Sequence, residues 1–414
     1  MKETKQRLHY LDWLRVVAFG LLFLFHAWKP FDHFEWHIKN TEQSFIFDVL
    51  TIFTHGWRMH LIFLVSGAGT WFALRSRKNL FVVDRLKRLI IPFVFGIMIL
   101  IPPQRFYEWV MFHEFEGGYL AFLSDYPAEV LSANMGVNVL LWFGHLGTHL
   151  WYLPYLFVMT IISIPLLKNI QNGKIDFSWL LRITKSRFGI FLLVVPMIVC
   201  RITLKPIFQH YTGWADFFIY IWPFLYGFVF MAKSEFIEHI KDKTYMMLTV
   251  GIISSGTFMY LGVTDPDMAD GFTNPVFGWI HYSSSIIAMF VALSWVLFFF
   301  GLFAKTMDFN HKYLVLANHS ILPVYILHQT LIIVFGYYIL TIDQSMAIKY
   351  FLIVATAISA SYLLYFIIKT NDVTRFIFGL KSEGKSSRID SNHERTKSLR
   401  SSSLVMESSE EKQT

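Results

Sequence analysis

Ten times along its 414 residues the chain turns apolar for roughly the length that crosses a bilayer. The runs fall at about 9–29, 45–74, 89–109, 147–167, 188–206, 215–232, 244–262, 277–303, 314–340 and 346–369. Inside hydrocarbon each backbone N–H and C=O must find its partner within the segment, so such runs read as helices. The expected fold is all-α, a polytopic membrane protein of about ten transmembrane helices. A hydrophobic content of 55%, with 43 Phe and 13 Trp, suits lipid-facing surfaces and interfacial belts and excludes an ordinary soluble domain. Pro92, Pro154, Pro165, Pro196, Pro223 and Pro323 fall inside runs, which kinked bundle helices tolerate. No small-residue cleavage pattern follows the first run, so it reads as a retained helix and not a removed signal.

Basic residues set the expected orientation. Twenty-eight of the 36 Lys and Arg fall on the side of the N-terminus. The other side holds Lys29, Lys39, Arg105, Arg201, Lys205 and Lys349, and Arg15 and Arg58 lie inside runs. By the excess of positive charge on the inner side, an even number of spans puts both termini in the cytoplasm. Residues 1–380 then form one transmembrane domain. Residues 381–414 carry ten Ser, seven basic and six acidic residues, the composition of a disordered Ser-rich cytoplasmic tail. Cys200 is the single cysteine, which excludes an internal disulfide and thiolate metal clusters. No phosphate-binding glycine loop, dinucleotide fingerprint or HExxH motif occurs. No metal, tightly bound cofactor or nucleic-acid partner is expected.

The first run carries Asp12, Arg15 and His26. A charge at mid-bilayer costs at least ~2.5–3.5 kcal/mol, so such residues face a bundle interior or a wet cavity. Eleven steps at ~100° each bring Arg15 and His26 within ~20° of one face, ~16 Å apart along the axis. Asp12 lies one turn before Arg15, within pairing range. A snorkelling Asp12–Arg15 pair and an interfacial His26 explain the residues singly. Together they describe one wall of a polar passage.

Further polar positions punctuate later runs. The inner loop and third run supply Arg85-x-x-Arg88, two guanidiniums on one helix face that can grip phosphates in a forked geometry. A plain topology signal is the competing reading. Ser66, Gly67 and Gly69 end the second run and suit close helix packing first, room for a ligand second. His149, Trp151 and Tyr152 open the fourth run, where an aromatic belt suffices for the last two. Ser320, Tyr325 and His328 stand in the ninth, with His319 beside them. The segments at 30–44 and 105–146 are each long enough to cap a passage, the second as a small lid.

Taken together, LDWLRVVAFGLLFLFH at 11–26, Ser66–Gly67, Arg85-x-x-Arg88, HLWYL at 149–153 and SILPVYILH at 320–328 resemble the acyltransferase family 3 membrane proteins. LDWLRV, EWHIKN and IPPQ look most like its glucan-biosynthesis branch, whose members are assigned succinyl transfer to periplasmic glucans. The resemblance covers roughly residues 7–370. It implies a ten-helix integral enzyme of a bacterial inner membrane. Such an enzyme moves an acyl group, acetyl or succinyl, from cytoplasmic acyl-CoA as co-substrate to a hydroxyl of a periplasmic or cell-surface carbohydrate. It assigns His26 as catalytic and Arg15, Arg85 and Arg88 as acyl-CoA-binding. Asp12, Ser66, His149, Trp151, Ser320, Tyr325 and His328 are candidates for lining the substrate passage.

Two other classes fit the same residues. A proton-coupled transporter would use Asp12, Arg15 and His26 as a relay. A membrane sensor would signal through the Ser-rich tail.

Overall fold

The computed structural model describes residues 8–76, 80–113 and 115–381. The tail at 382–414 lies outside the described residues. The first part of the chain forms α1 (His9–Trp28), α2 (Phe45–Ser76), α3 (Phe81–Phe95), α4 (Ile101–Phe112), α5 (Tyr119–Ser132) and α6 (Leu141–Gly147). The middle forms α7 (Tyr152–Gln171), α8 (Ser178–Lys185), α9 (Val195–Leu204), α10 (Trp214–Ala232), α11 (Glu235–Asp242) and α12 (Thr244–Thr264). The last part forms α13 (Pro266–Thr273), α14 (Trp279–Thr306), α15 (Lys312–Leu340), α16 (Met346–Ile368) and α17 (Asp372–Ile377). No strand occurs among the described residues. The protein is an all-α, multi-pass membrane protein.

Among the described residues nine helical stretches are long and apolar enough to span a membrane. The fifth apolar run, at Gly189–Leu204, is shorter than the other nine. Its winding compensates in part. Gly189–Val194 form a tight 3₁₀ turn, and Val195–Leu204 continue as α-helix. At ~2.0 Å per residue for the first part and ~1.5 Å for the second, the segment reaches ~27 Å, close to a hydrocarbon core.

Two runs extend beyond their sequence-derived limits. The third begins at Phe81, so Arg85 and Arg88 ride on the helix itself, and it passes through a π-helical turn at Gly96–Leu100 into α4. The wide turn follows Pro92, which has no N–H to give to the ladder. The fourth begins at Leu141, with a 3₁₀ turn at Thr148–Trp151 between α6 and α7. Both extensions carry charged or small residues, so hydropathy alone does not reveal them. The 105–146 segment holds a helix of its own, α5.

The centre of the bundle is the α2–α10 pair, the most extensive helix contact of the structure. It closes backbone against backbone. A Cβ at Gly67 would strike the Phe224 carbonyl, and one at Gly227 would strike the Leu64 carbonyl. Small residues at facing positions are how membrane helices approach closely, since lipid gives no hydrophobic drive to associate. Gly67 is therefore a packing residue. Gly67→Val and Gly227→Val are each expected to cost ~1–3 kcal/mol by overpacking. A lower thermal midpoint in detergent checks this, and an unchanged midpoint would contradict it.

Candidate active site

A cavity of about 1160 Å³ lies beside the C-terminal half of α1. Phe19, Leu22, Phe25 and His26 form its α1 wall, three of them at the i, i+3 and i+7 spacing of one helix face. Arg58 of α2, Tyr152 of α7 and Tyr325 of α15 complete the wall. Phe34, Trp36 and His37 from the 30–44 segment and Asn134, Met135 and His145 from the 105–146 segment line it as well. No Asp or Glu is among the lining residues.

His26 sits in a fixed tautomer, assigned from its partners. Its Nδ1 lies 2.9 Å from the Leu22 carbonyl and must donate to it. His328 Nδ1 lies 2.5 Å from the Tyr325 carbonyl, so it donates too. His328 Nε2 then carries a lone pair, 3.0 Å from His26 Nδ1, and accepts the second branch of the His26 N–H. The basic nitrogen of His26 is thus Nε2, on a ring that lines the cavity. Trp36 stacks over that ring at 6.4 Å between centroids and 23° between planes. His149 buttresses His328 edge-on at 5.1 Å. It is itself pinned, with Nε2 donating to the Ile326 carbonyl at 3.2 Å and Nδ1 3.3 Å from the Thr148 hydroxyl. Tyr325 donates to the His149 carbonyl at 2.5 Å. Among the described residues no three His, Cys, Asp or Glu side chains converge in a metal-holding arrangement.

Below His26 the cavity ends in an aromatic layer. Phe19 meets Tyr152 and Tyr325 edge-on, at 6.1 and 5.6 Å between centroids. From this layer a polar thread runs toward the other end of the bundle. The Tyr152 hydroxyl bonds Ser66 Oγ, which itself donates to the Ile62 carbonyl at 2.7 Å. Thr70 donates to the Ser66 carbonyl at 2.7 Å, and Arg85 Nη2 donates to Thr70 Oγ1 at 2.6 Å. Arg85 Nε is buried and has no hydrogen-bond partner. Arg15 reaches the same region: its Nη2 lies 2.8 Å from where a Cβ on Gly69 would be. Gly69 leaves space for a guanidinium, where Gly67 leaves space for a helix.

The structure therefore brings His26, His149, Trp151, Tyr325 and His328 to the cavity region, and joins Ser66, Arg15 and Arg85 beneath it. Other expectations need correction. Arg15 does not line the cavity wall that His26 lines, because Phe19 and Tyr152 stand between them. Arg88 is exposed while Arg85 turns inward to Thr70, so the pair does not present one uniform face. Asp12 is half-buried away from the cavity. Ser320 is buried but spends its hydroxyl on the Ala317 carbonyl at 3.0 Å, outside the cavity. His319 is exposed. Trp151 and Tyr152 are not belt residues: they are 6% and 5% exposed and pack inside the bundle.

Sequence reasoning missed Trp36, Arg58 and a second imidazole. His37 Nδ1 donates to Glu108 at 2.6 Å, Arg105 holds the same carboxylate at 3.0 Å, and Gln329 donates to His37 Nε2 at 3.2 Å. The partners are 71 and 292 positions apart, so no local spacing could pair them. Because Gln329 occupies Nε2, His37 is a less available base than His26.

A family model described as an acyltransferase domain matches residues 8–366. The chain belongs to that acyltransferase family. It is a membrane-embedded acyltransferase. Among curated proteins it is similar to Glucans biosynthesis protein C of Shigella dysenteriae, 24% identical over 350 residues, 81% of this chain and 84% of the relative. Glucans biosynthesis protein C of Escherichia coli is 24% identical with the same coverage. No solved structure matches significantly.

The Leu22 carbonyl holds the His26 tautomer, and His328 Nε2 takes a second branch of the same Nδ1 proton without touching the open nitrogen. If the open nitrogen acts as a base, His328→Ala is expected to lower kcat while leaving measurable transfer, because His26 keeps its Leu22 bond. A wild-type kcat in the folded variant would contradict the positioning role.

Proposed function

We propose that this acyltransferase takes its acyl group from cytoplasmic acyl-CoA and delivers it to a hydroxyl of a carbohydrate on the far side of a bacterial inner membrane. The observation that carries the reading is the position of His26: its basic Nε2 belongs to a roomy cavity free of carboxylates, and a polar thread leads from that cavity to Arg85. The excess of positive charge near the termini supports the orientation, with both termini inside. The similarity to Glucans biosynthesis protein C supports a glucan as acceptor, and an acetyl or succinyl group is the acyl group we propose for it.

Arg85 and Arg88 are placed on the inner side by this orientation, where they would hold the phosphates of coenzyme A. Arg15 adds charge to the same region. The flexible pantetheine arm would rise past Thr70 and Ser66, with the Phe19–Tyr152–Tyr325 layer parting to admit the thioester. His26 Nε2 then removes the proton of the acceptor hydroxyl as its oxygen attacks the thioester carbonyl. His328 shares the proton on Nδ1 and steadies the imidazolium as it forms. The direct route needs no acyl-histidine.

His26→Ala should lose transfer by ~10²–10⁴-fold, the usual worth of a positioned base. His26→Gln should fail as well, because an amide keeps a hydrogen bond but takes no proton. The wild-type rate should fall toward acid pH, as protonation of Nε2 removes the lone pair. A folded His26→Gln protein that transfers at the wild-type rate would overturn the base.

At the donor end, Arg85→Ala should weaken acyl-CoA binding in direct binding measurements, and Arg85→Lys should restore it only partly because the fork is gone. Unchanged binding would leave Arg85 a purely structural residue. Reporter fusions at Gly118 and Ser382 should report opposite sides of the membrane, and fusions on one side would overturn the orientation.

A further inference from the structure

Three cationic side chains other than histidine line the cavity. Lys29 is paired with Asp32 at 2.7 Å and Arg105 with Glu108 at 3.0 Å. Arg58 has no carboxylate partner among the described residues. It is 4% exposed, and its Nε and Nη1 are buried with no hydrogen-bond partner. Its guanidinium lies 3.5 Å above the Phe25 ring, next in the chain to His26. That cation–π contact is its one visible compensation.

The other groups near it do not cancel the charge. Tyr211, Tyr220 and Tyr325 are the phenols in its field, and His26, His55 and His328 the imidazoles. Burial pushes the phenol of Tyr211, in the loop before α10, above its ordinary range, so it stays neutral. A side chamber of about 230 Å³ shares the His55–Tyr211 wall with the cavity. There Lys205 is neutralised by Asp216 at 3.0 Å, but Arg201 has a buried Nε with no partner. The wall around Arg58 is thus net positive, with hydrogen-bond donors unspent. A buried charge without a partner is costly, and such a local violation is expected where a ligand supplies the missing half.

We propose that Arg58 is the cavity's anion-binding residue, holding a negatively charged oxygen of the transferred acyl group. Two oxygens of that group have the right chemistry. One is the carbonyl oxygen during attack. As the acceptor oxygen bonds to the thioester carbon and its proton passes to His26 Nε2, the carbonyl π pair moves onto oxygen. Collapse of that oxyanion breaks the C–S bond, and the departing thiolate takes the proton from His26. The other is the terminal carboxylate of a dicarboxylic acyl group. Both roles rest on His26 marking the site of transfer.

The test uses the full-length protein in lipid nanodiscs, with acetyl-CoA and succinyl-CoA as donors and a short β-linked glucan oligosaccharide as acceptor. Wild type, His26→Ala, Arg58→Lys and Arg58→Met are compared, each with its thermal midpoint. Arg58→Met should keep or raise the midpoint, since it removes an unpaired buried charge, yet lose transfer by ~100-fold, the scale of a lost oxyanion donor. Loss of kcat with both donors identifies the carbonyl oxygen. Loss confined to succinyl-CoA, expressed in KM, identifies the terminal carboxylate. Arg58→Lys keeps the charge without the fork and should lie between; it carries the same comparison if Arg58→Met does not fold. If His26→Ala is inactive while both Arg58 variants match wild type with both donors, the role of Arg58 is overturned and that of His26 stands. If His26→Ala also matches wild type, the site itself has been misplaced.

Discussion

The cost of a charge in hydrocarbon organises this molecule. Arg15, Arg58 and Arg85 all belong to spanning helices, and none can be left facing lipid. Each is turned into the bundle, and each is accommodated differently. Arg15 occupies the space that Gly69 leaves, Arg85 donates to Thr70, and Arg58 lies on the face of Phe25. Among the described residues none is neutralised in the manner of Lys29, Arg105 or Lys205, which hold carboxylates near the helix ends. The polar interior that results is a cavity on one side of an aromatic layer and a guanidinium-rich region on the other. A two-sided enzyme requires such a division if an anionic donor and a neutral acceptor are to arrive from opposite faces.

Around that interior the bundle is held by close contact. Gly67 and Gly227 bring α2 and α10 backbone to backbone, which fixes the height of Arg58, Ser66 and Thr70 on α2 relative to α10. The aromatic layer sits against that pair through the bond from Tyr152 to Ser66 of α2. Phe19, Tyr152 and Tyr325 come from three different helices and meet edge-on, the arrangement their ring quadrupoles favour. Membrane packing and site geometry are therefore one problem here: a slip of α2 by a single turn would part Ser66 from Tyr152 and Thr70 from Arg85.

Much of this was legible in the sequence, for identifiable reasons. Apolar run length marks the spanning helices because lipid enforces it, and even the short fifth run was visible. Arg15 and His26 announced themselves because a polar residue in an apolar run is costly. What the helical wheel could not supply was the neighbour. It placed Arg15 and His26 on one stripe but could not know that Phe19, on the same stripe, would meet Tyr152 and close the space between them. Ser320 looked like a lining group by position, yet its hydroxyl satisfies its own helix, a local option open to any Ser or Thr. His37, Glu108 and Gln329 form one network from three distant segments, and Arg58 gains its meaning only from the partners it lacks. Such features belong to tertiary structure alone.

The proposed mechanism is spatial: donor phosphates at Arg85, reacting carbon at His26, aromatic layer between. A structure of the protein in nanodiscs with a non-hydrolysable thioether analogue of the acyl donor tests it most directly. The expected result is the diphosphate beside Arg85 and Arg88, the pantetheine arm crossing between Phe19 and Tyr152, and the acyl carbonyl carbon beside His26 Nε2. An analogue bound with its diphosphate in the cavity, or with its acyl end held on the Arg15 side of an unbroken aromatic layer, would contradict it.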